Sequence, residues 1–367
     1  MGKSKKILIV SPSLGFGGAE RVSSYLSIMF SQLGYDVTIL TAKNITDYSF
    51  LGTHISLGLD SGNGFNFIKK ISSFFKWRHI ARTHSFTAVI DTRARRHTIR
   101  ELLVELFVYP KDTAKIYMCH RSDLHIYIPH PRTFFLPLYK NVNHLIAVSK
   151  TIENQIRHMG LSNVRTIYNA LDFNTINTLA KTNFSSEKPY IVGVGRLDED
   201  VKQFDHLMKA FVDSGLPEKG VELRILGDGF LMESLKDLAD KLCEIKDCIR
   251  FEGFVSNPFV YMKNAKFLVK SSRLEGFPMV LIEALACETP VVSYDCPTGP
   301  SEIIQHQQNG LLVENGNIQA LTAAIKKMHD DKILYKRCKA NARKSIAHLA
   351  FENIKTQWKK LIESANA

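Results

Sequence analysis

Short apolar runs closed off by polar residues recur along the chain, separated by stretches in which apolar positions return every third or fourth residue. KILIV (6–10), DVTIL (36–40), TAVID (87–91), AKIYMC (114–119) and HLIAVS (144–149) form a first series. Consecutive apolar positions rich in β-branched residues predict strands covered on both faces, as in a parallel sheet. Helical patterns fall between them, such as Ala19 to Leu33 after a glycine loop, and Lys150 to Met159. A second series follows: PYIVGVGR (189–196), VELRILGDG (221–229), CIRFEGF (248–254), AKFLVKSS (265–272), PVVSYD (290–295) and GLLV (310–313). Repeated strand–helix units imply parallel sheets covered by helices. The break near TIYNALD (166–172) divides the chain into two α/β, Rossmann-like domains, 1–168 and 169–349. A last helical pattern, about Phe351 to Glu363, carries Trp358.

Length and composition support this reading. The 367 residues suit two domains of ordinary size, and 45% apolar with 23% charged residues fits a globular chain. No apolar run approaches the roughly 20 residues a membrane-spanning helix needs. The start, MGKSKKILIVSPS, is basic and then apolar, but Ile7 to Val10 is too short for the core of a leader and reads as the first strand. Six cysteines show neither a CxxC pair nor zinc spacing, so reduced structural thiols in a cytoplasmic protein are expected. Charge is lopsided: residues 1–170 hold 22 Lys/Arg against 10 Asp/Glu, whereas residues 171–367 hold 26 against 26. The whole excess of +12 therefore belongs to the first half, which should meet something anionic.

The densest chemistry runs from Ser271 to Glu302, SSRLEGFPMVLIEALACETPVVSYDCPTGPSE. Gly276, Phe277 and Pro278 lie between Glu275 and Glu283, and a proline at a first helical position predicts a helix from there to about Cys287. Amides at such a helix start, Phe277 to Val280, can seat a phosphate. Glu283 lies roughly 8–9 Å further along the helix, a suitable distance for holding a ribose hydroxyl pair. Glu275 would face the other side of the diphosphate. Two glutamates at this spacing are by default surface residues, but Glu283 is embedded in the apolar LIEALA.

With the strand VVSYD behind it, this segment resembles the EX7E signature of retaining glycosyltransferases of the GT-B fold, family 4. The resemblance covers essentially the whole chain. It implies two Rossmann-like domains facing a central cleft, the last helix (350–367) crossing back onto the first. It also implies that Glu275, Gly276, Phe277, Pro278, Met279, Val280 and Glu283 bind a nucleotide sugar. GVGRLDEDVKQF (193–204) matches the family's GRL…K pattern; Arg196 and Lys202 would neutralise a departing nucleoside diphosphate. Asp198-Glu199-Asp200 spells a DxD metal motif but lies between the two cations and reads as an exposed loop, so no metal or other cofactor is expected.

The loop Gly15-Phe-Gly-Gly-Ala-Glu-Arg21 matches the family's first-domain motif, and Gly17 and Gly18 would let backbone approach a phosphate or acceptor. It is not GxGxxG, and no acidic residue ends the second strand. His120, after AKIYMC, would lie against the donor sugar, with Arg121 and Asp123 on the acceptor side. FEGF (Phe251, Gly253, Phe254) matches the base-flanking loop, with Gly227 and Asp228 adjoining, and TGPSE (298–302) a phosphate- or sugar-facing loop. Cys-Glu-Thr-Pro at 287–290 departs from the family's glycine before Thr-Pro.

Glu275, His120, Arg196 and Lys202 are thus the expected catalytic set. The resemblance implies a front-face transfer with retention. The TGPSE loop leans toward a UDP-linked hexose or N-acetylhexosamine. Residues 61–90 contain no Asp or Glu; Phe67, Ile68, Ile71, Phe74 and Phe75 share a helical face, with Lys69 and Lys76 opposite. That is either a core-facing helix or one lying on a membrane surface. Arg93, Arg95, Arg96, His97 and Arg100 form a basic cluster suited to a lipid diphosphate. The expected acceptor is accordingly a lipid-linked glycan at the inner face of the cell membrane, reached by an anionic-surface contact of the first domain. Two alternatives stay open: a GT-B nucleotide-sugar epimerase, and a basic nucleic-acid-binding protein, which lacks a recognised motif here.

Overall fold

The computed structural model describes residues 5–15, 17–59, 67–128, 132–198, 200–245 and 247–365, with side chains left out at 67 and 132–135. Phe16 of the glycine loop, Glu199 of the DxD text and residues 61–66 of the acid-free stretch lie outside the described residues, as does the side chain of Phe67. The chain forms two compact units. One holds the residues through Ala170 together with those from Glu352 onward; the other runs from Leu171 to Phe351.

In the first unit the strands are β1 (Lys6–Ser11), β2 (Asp36–Thr41), β3 (Thr53–Ser56), β4 (Ala88–Asp91), β5 (Ala114–Cys119), β6 (His144–Ala147) and β7 (Val164–Thr166). They pair in the order β3-β2-β1-β4-β5-β6-β7, every neighbour parallel. Ile7, Leu8 and Ile9 on β1 are fully buried, which is why this strand reads as an unbroken apolar run. Edge strand β3 and three-residue β7 escape the sequence pattern: THIS is only half-buried and VRT is too short to show a period. The final helix, Phe351–Ala365, buries Trp358 edge-on against Phe30 of the helix Gly18–Gln32, ring centroids 6.0 Å apart.

The second unit contains β8 (Tyr190–Val194), β9 (Glu222–Leu226), β10 (Ile249–Gly253), β11 (Leu268–Lys270), β12 (Val291–Asp295) and β13 (Gly310–Glu314). Their order is β10-β9-β8-β11-β12-β13, again parallel. The strand order reverses between β8 and β11, and loops leaving such a switch point diverge to open a crevice beyond the strands' C-terminal ends. The segments after β8 and β11 are the ones that carry Arg196, Lys202 and Glu275.

Two expectations change. Cys243 and Cys248, expected as free thiols, are joined by a disulfide across the turn that leads into β10; Cys119, Cys287, Cys296 and Cys338 are free and buried. On the helix Phe67–Thr83 the inward face is Ser73, Trp77, Ile80 and Ala81, whereas Ile68, Ile71 and Phe75 are exposed. Neither a strict core helix nor the expected stripe describes it: the helix has an inner apolar face and a second, outer one.

Candidate active site

Backbone hydrogen bonds bind the loops of the second unit's switch point to one another. The Gly195 amide donates to Leu226 O at 3.0 Å, Leu197 to Asp228 O at 2.9 Å, and Gly227 to Gly253 O at 2.8 Å. Gly227 is required by this closeness: at φ +144° a Cβ there would sit 1.8 Å from the Gly195 carbonyl oxygen. Arg273 N donates to Val201 O at 2.9 Å and Ser271 Oγ to Lys202 O at 2.9 Å, so the two loops that bear charge are held side by side.

Between them lies a cluster of three ionisable groups. Lys202, on a 3-10 turn (Asp200–Lys202), places Nζ 2.8 Å from Glu275 Oε1. Lys270, the last residue of β11, places Nζ 3.3 Å from the same oxygen and donates to Val194 O at 3.4 Å. Burial alone would raise the Glu275 carboxyl, but Lys202 and Lys270 outweigh it and hold the pKa down at about 2. Burial and the neighbouring Lys202 push Lys270 down to about 8, with Glu275 opposing them. Sequence reasoning missed Lys270. The signal was a lysine at the end of an otherwise apolar strand, FLVK, directly ahead of the glutamate motif. Arg196 is exposed at the rim, Nε 3.8 Å from Asp198 Oδ2.

Pro278 caps the following helix from outside rather than opening it, and the helix spans Met279–Ala286. Its first amides have no partner within the helix and lie beside the cluster in sequence. Gly276, Phe277, Pro278 and Met279 are buried and Val280 is half-buried. Glu283 is only 4% exposed, a carboxylate held inside the unit. The TGPSE loop braces this segment. Thr298 Oγ1 donates to the Glu275 carbonyl, and Gly299, at φ +97°, lies so close to Pro278 that a Cβ would come within 2.6 Å of its ring. On β10, Phe251 and Gly253 are half-buried, and Phe254 just beyond it is exposed; Phe230, which the sequence did not single out, is also exposed close to Gly227 and Asp228 in the chain. Asp198 leans toward Arg196, and no group of three or more metal-ligating side chains occurs among the described residues.

In the first unit the predicted residues part company. The Gly17 amide donates to Tyr48 Oη at 3.2 Å and the Glu20 carboxylate folds over the Gly17 Cα, so a phosphate reaching Gly17 and Gly18 would have to displace it. His120 is half-buried with Nε2 closed off and without a hydrogen-bond partner; burial, then the nearby Arg95, push its pKa down to about 4, leaving a neutral imidazole. Arg121 is half-buried, and a cavity of about 440 Å³ beyond it is lined by Asp123, His125, Gln155 and His158.

The basic cluster is corrected. Arg93 donates to both Asp91 oxygens, at 3.0 and 2.7 Å, and to Glu101 at 3.1 Å. Arg95 is 1% exposed, bonded to Tyr127 O and Tyr139 Oη at 3.0 Å each, with its guanidinium 4.7 Å from the Tyr117 ring centroid. Both are internal struts, because β4 ends among carboxylates and aromatic rings that engage the two guanidinium groups. Arg96, His97 and Arg100 remain exposed.

Residues 16–175 match the model of Glycosyltransferase Family 4, and residues 175–345 match that of Glycosyl transferases group 1. The chain is a glycosyltransferase carrying both family domains. It is 28% identical, over 96% of its length and 97% of the relative's, to the N-acetylgalactosamine-N,N'-diacetylbacillosaminyl-diphospho-undecaprenol 4-alpha-N-acetylgalactosaminyltransferase of Campylobacter jejuni. The amylovoran biosynthesis glycosyltransferase AmsD of Erwinia amylovora is 22% identical over 98% of this chain and 99% of AmsD. The crystal structure of Anabaena HepE in complex with UDP and glucose superposes with a TM-score of 0.76 at 18% identity, covering 98% of this glycosyltransferase and all of that chain. The fold is therefore GT-B, with two parallel α/β units.

Proposed function

We propose that this glycosyltransferase moves a hexose or N-acetylhexosamine from a UDP-sugar to a glycan carried on a lipid diphosphate, with retention of anomeric configuration. The carrying observation is the cluster at the second unit's strand switch: two lysines on one carboxylate, adjoining a helix start. A net positive charge beside helix amides is suited to a nucleoside diphosphate. Glu283 takes the ribose hydroxyls, and Phe254 with the backbone of Phe251, Gly253 and Gly227 flanks the base. The Anabaena relative was crystallised with UDP, which supports the uridine assignment.

Departure of the diphosphate is the costly event, so its stabilisation by Arg196, Lys202 and the amides of Phe277–Val280 is the main catalytic contribution. The bond from the anomeric carbon to the diphosphate oxygen breaks, its electron pair staying on that oxygen. The acceptor hydroxyl oxygen bonds to the same face of the carbon, and its proton passes to the departing phosphate. Glu275 remains ionised beside the sugar, held so by Lys202 and Lys270. No metal ion is required.

Acceptor chemistry falls to the first unit, with Arg96 and Arg121 on that side. Its charge excess and exposed apolar residues, Ile68, Ile71 and Phe75 on one helix and Ile99, Leu106 and Phe107 beyond β4, suit a peripheral contact with an anionic membrane at its inner face. The Campylobacter relative is named for a diphospho-undecaprenol acceptor, which supports a lipid carrier. A thermal-shift screen against UDP-, GDP- and dTDP-sugars, followed by transfer to glycans on a polyprenyl diphosphate, tests the proposal. A UDP-sugar should stabilise the protein and be consumed only when acceptor is present. Acceptor-independent release of free sugar would replace it with an epimerase.

A further inference from the structure

We infer that Lys270 is a positioning residue for the transfer: it keeps Glu275 in place while Lys202 leaves that carboxylate for the donor diphosphate. This rests on the reading of the cluster as the diphosphate site. One ammonium is enough to neutralise one carboxylate, yet Glu275 Oε1 has two beside it, Lys202 at 2.8 Å and Lys270 at 3.3 Å. The two are not equivalent. Lys270 is anchored on β11, its side chain 6% exposed, with Nζ also bonded to the Val194 carbonyl of β8 and a Cβ on Gly195 only 3.4 Å away were one present. Lys202 stands on a short 3-10 turn, and its side chain is 21% exposed. One cation is held by two strands; the other stands on a turn, nearer to solvent.

The fold does not need a charge at position 270. Leu268 and Val269 before it are fully buried, and an apolar residue would complete the strand without removing an ammonium from water. The groups facing Lys270 are Lys202 from the turn after β8, Glu275 from the loop after β11, the Val194 carbonyl and, from the end of β12, the Cys296 thiol. Burial pushes that thiol up to about 12, so it stays neutral. The enclosed balance is thus two positive charges to one negative before any donor arrives. A diphosphate takes Lys202 and leaves a Lys270–Glu275 pair behind, so Glu275 is never stranded as a lone buried anion. Lys270 itself sheds its proton near pH 8, and with it the excess charge that favours the anion.

The experiment is UDP titration by calorimetry between pH 7 and 9 on the wild-type protein, Lys270→Met and Lys270→Arg, with donor kinetics alongside. Wild-type affinity should fall through pH 8, about tenfold per unit above it. Lys270→Met should bind UDP about tenfold more weakly at pH 7, lose at least tenfold in kcat, and show no pH dependence in this window. Lys270→Arg should restore binding and move the alkaline fall beyond pH 9. Flat wild-type affinity over this range, or a folded Lys270→Met protein with wild-type UDP affinity and kcat, overturns the inference and leaves the glycosyltransferase site standing. A wild-type protein that binds no UDP overturns the nucleotide assignment itself. If Lys270→Met does not fold, the wild-type pH dependence alone decides.

Discussion

Glu283 and Glu275 occupy one motif but different electrostatic settings. Glu283 is buried on an apolar helix, and the role proposed for it is to hold a pair of ribose hydroxyls. Replacing it by Gln removes a charged hydrogen bond, so UDP affinity should fall by about 1–3 kcal/mol with the fold intact; calorimetry on a protein with wild-type thermal unfolding measures this, and unchanged affinity refutes the ribose role. Glu275 is instead held ionised by two lysines, its folded pKa of about 2 lying below the ordinary 4.5. The sign follows: its stabilising contribution is complete above about pH 4.5 and disappears as the pH falls toward 2. Glu275→Gln leaves the lysines without their anion, at a cost of about 3 kcal/mol, and should flatten that acid limb in urea unfolding from pH 6 to 2.5.

At the scale of elements, two helices of the first unit invite measurement. Phe67–Thr83 turns Trp77, Ile80 and Ala81 inward but leaves Ile68, Ile71 and Phe75 outside, while Lys76 reaches back to Ser56 O at 2.8 Å. A membrane contact would use Lys69, Lys70 and Lys76, all three on the exposed side of this helix. Each basic residue near an anionic surface contributes about 1 kcal/mol, so reversing these three to Glu should abolish sedimentation with anionic vesicles. Equal, negligible sedimentation of the wild type with anionic and neutral vesicles would favour a soluble acceptor instead. The last helix works differently. Trp358, 2% exposed against Phe30, joins the C-terminal segment to the first unit, and Trp358→Ala should cost about 3–5 kcal/mol of stability.

For the molecule as a whole, the excess positive charge lies on one unit and the Lys202–Lys270–Glu275 cluster on the other, and the proposed chemistry asks no metal ion of either. Turnover should persist in excess EDTA, since Arg196, Lys202 and helix amides provide the charge a cation would. Loss of activity in EDTA with recovery on adding Mn²⁺ or Mg²⁺ would return Asp198 and Asp200 to the reaction. Among the described residues no helix is long and apolar enough to cross a membrane.

What could be read from the chain alone was whatever is written locally. Apolar runs such as KILIV and VVSYD marked strands buried on both faces, and their alternation with helical periods predicted parallel sheets. Glycines and Pro278 marked where the glutamate motif leaves a loop and enters a helix. Edge strand β3 stayed hidden because a half-buried strand carries little apolar signal. Other features were decided only in three dimensions, because they depend on partners far along the chain. Lys202 and Glu275 meet across 73 residues, and Lys270 joins them only because β8 and β11 are neighbours. Arg93 and Arg95 look like a ligand-binding cluster until folding closes Asp91, Glu101 and three tyrosines around them. A helical wheel shows that the segment after residue 66 has apolar positions. Which of them face inward is settled by the sheet beneath, since burial belongs to the pair of surfaces and not to either sequence.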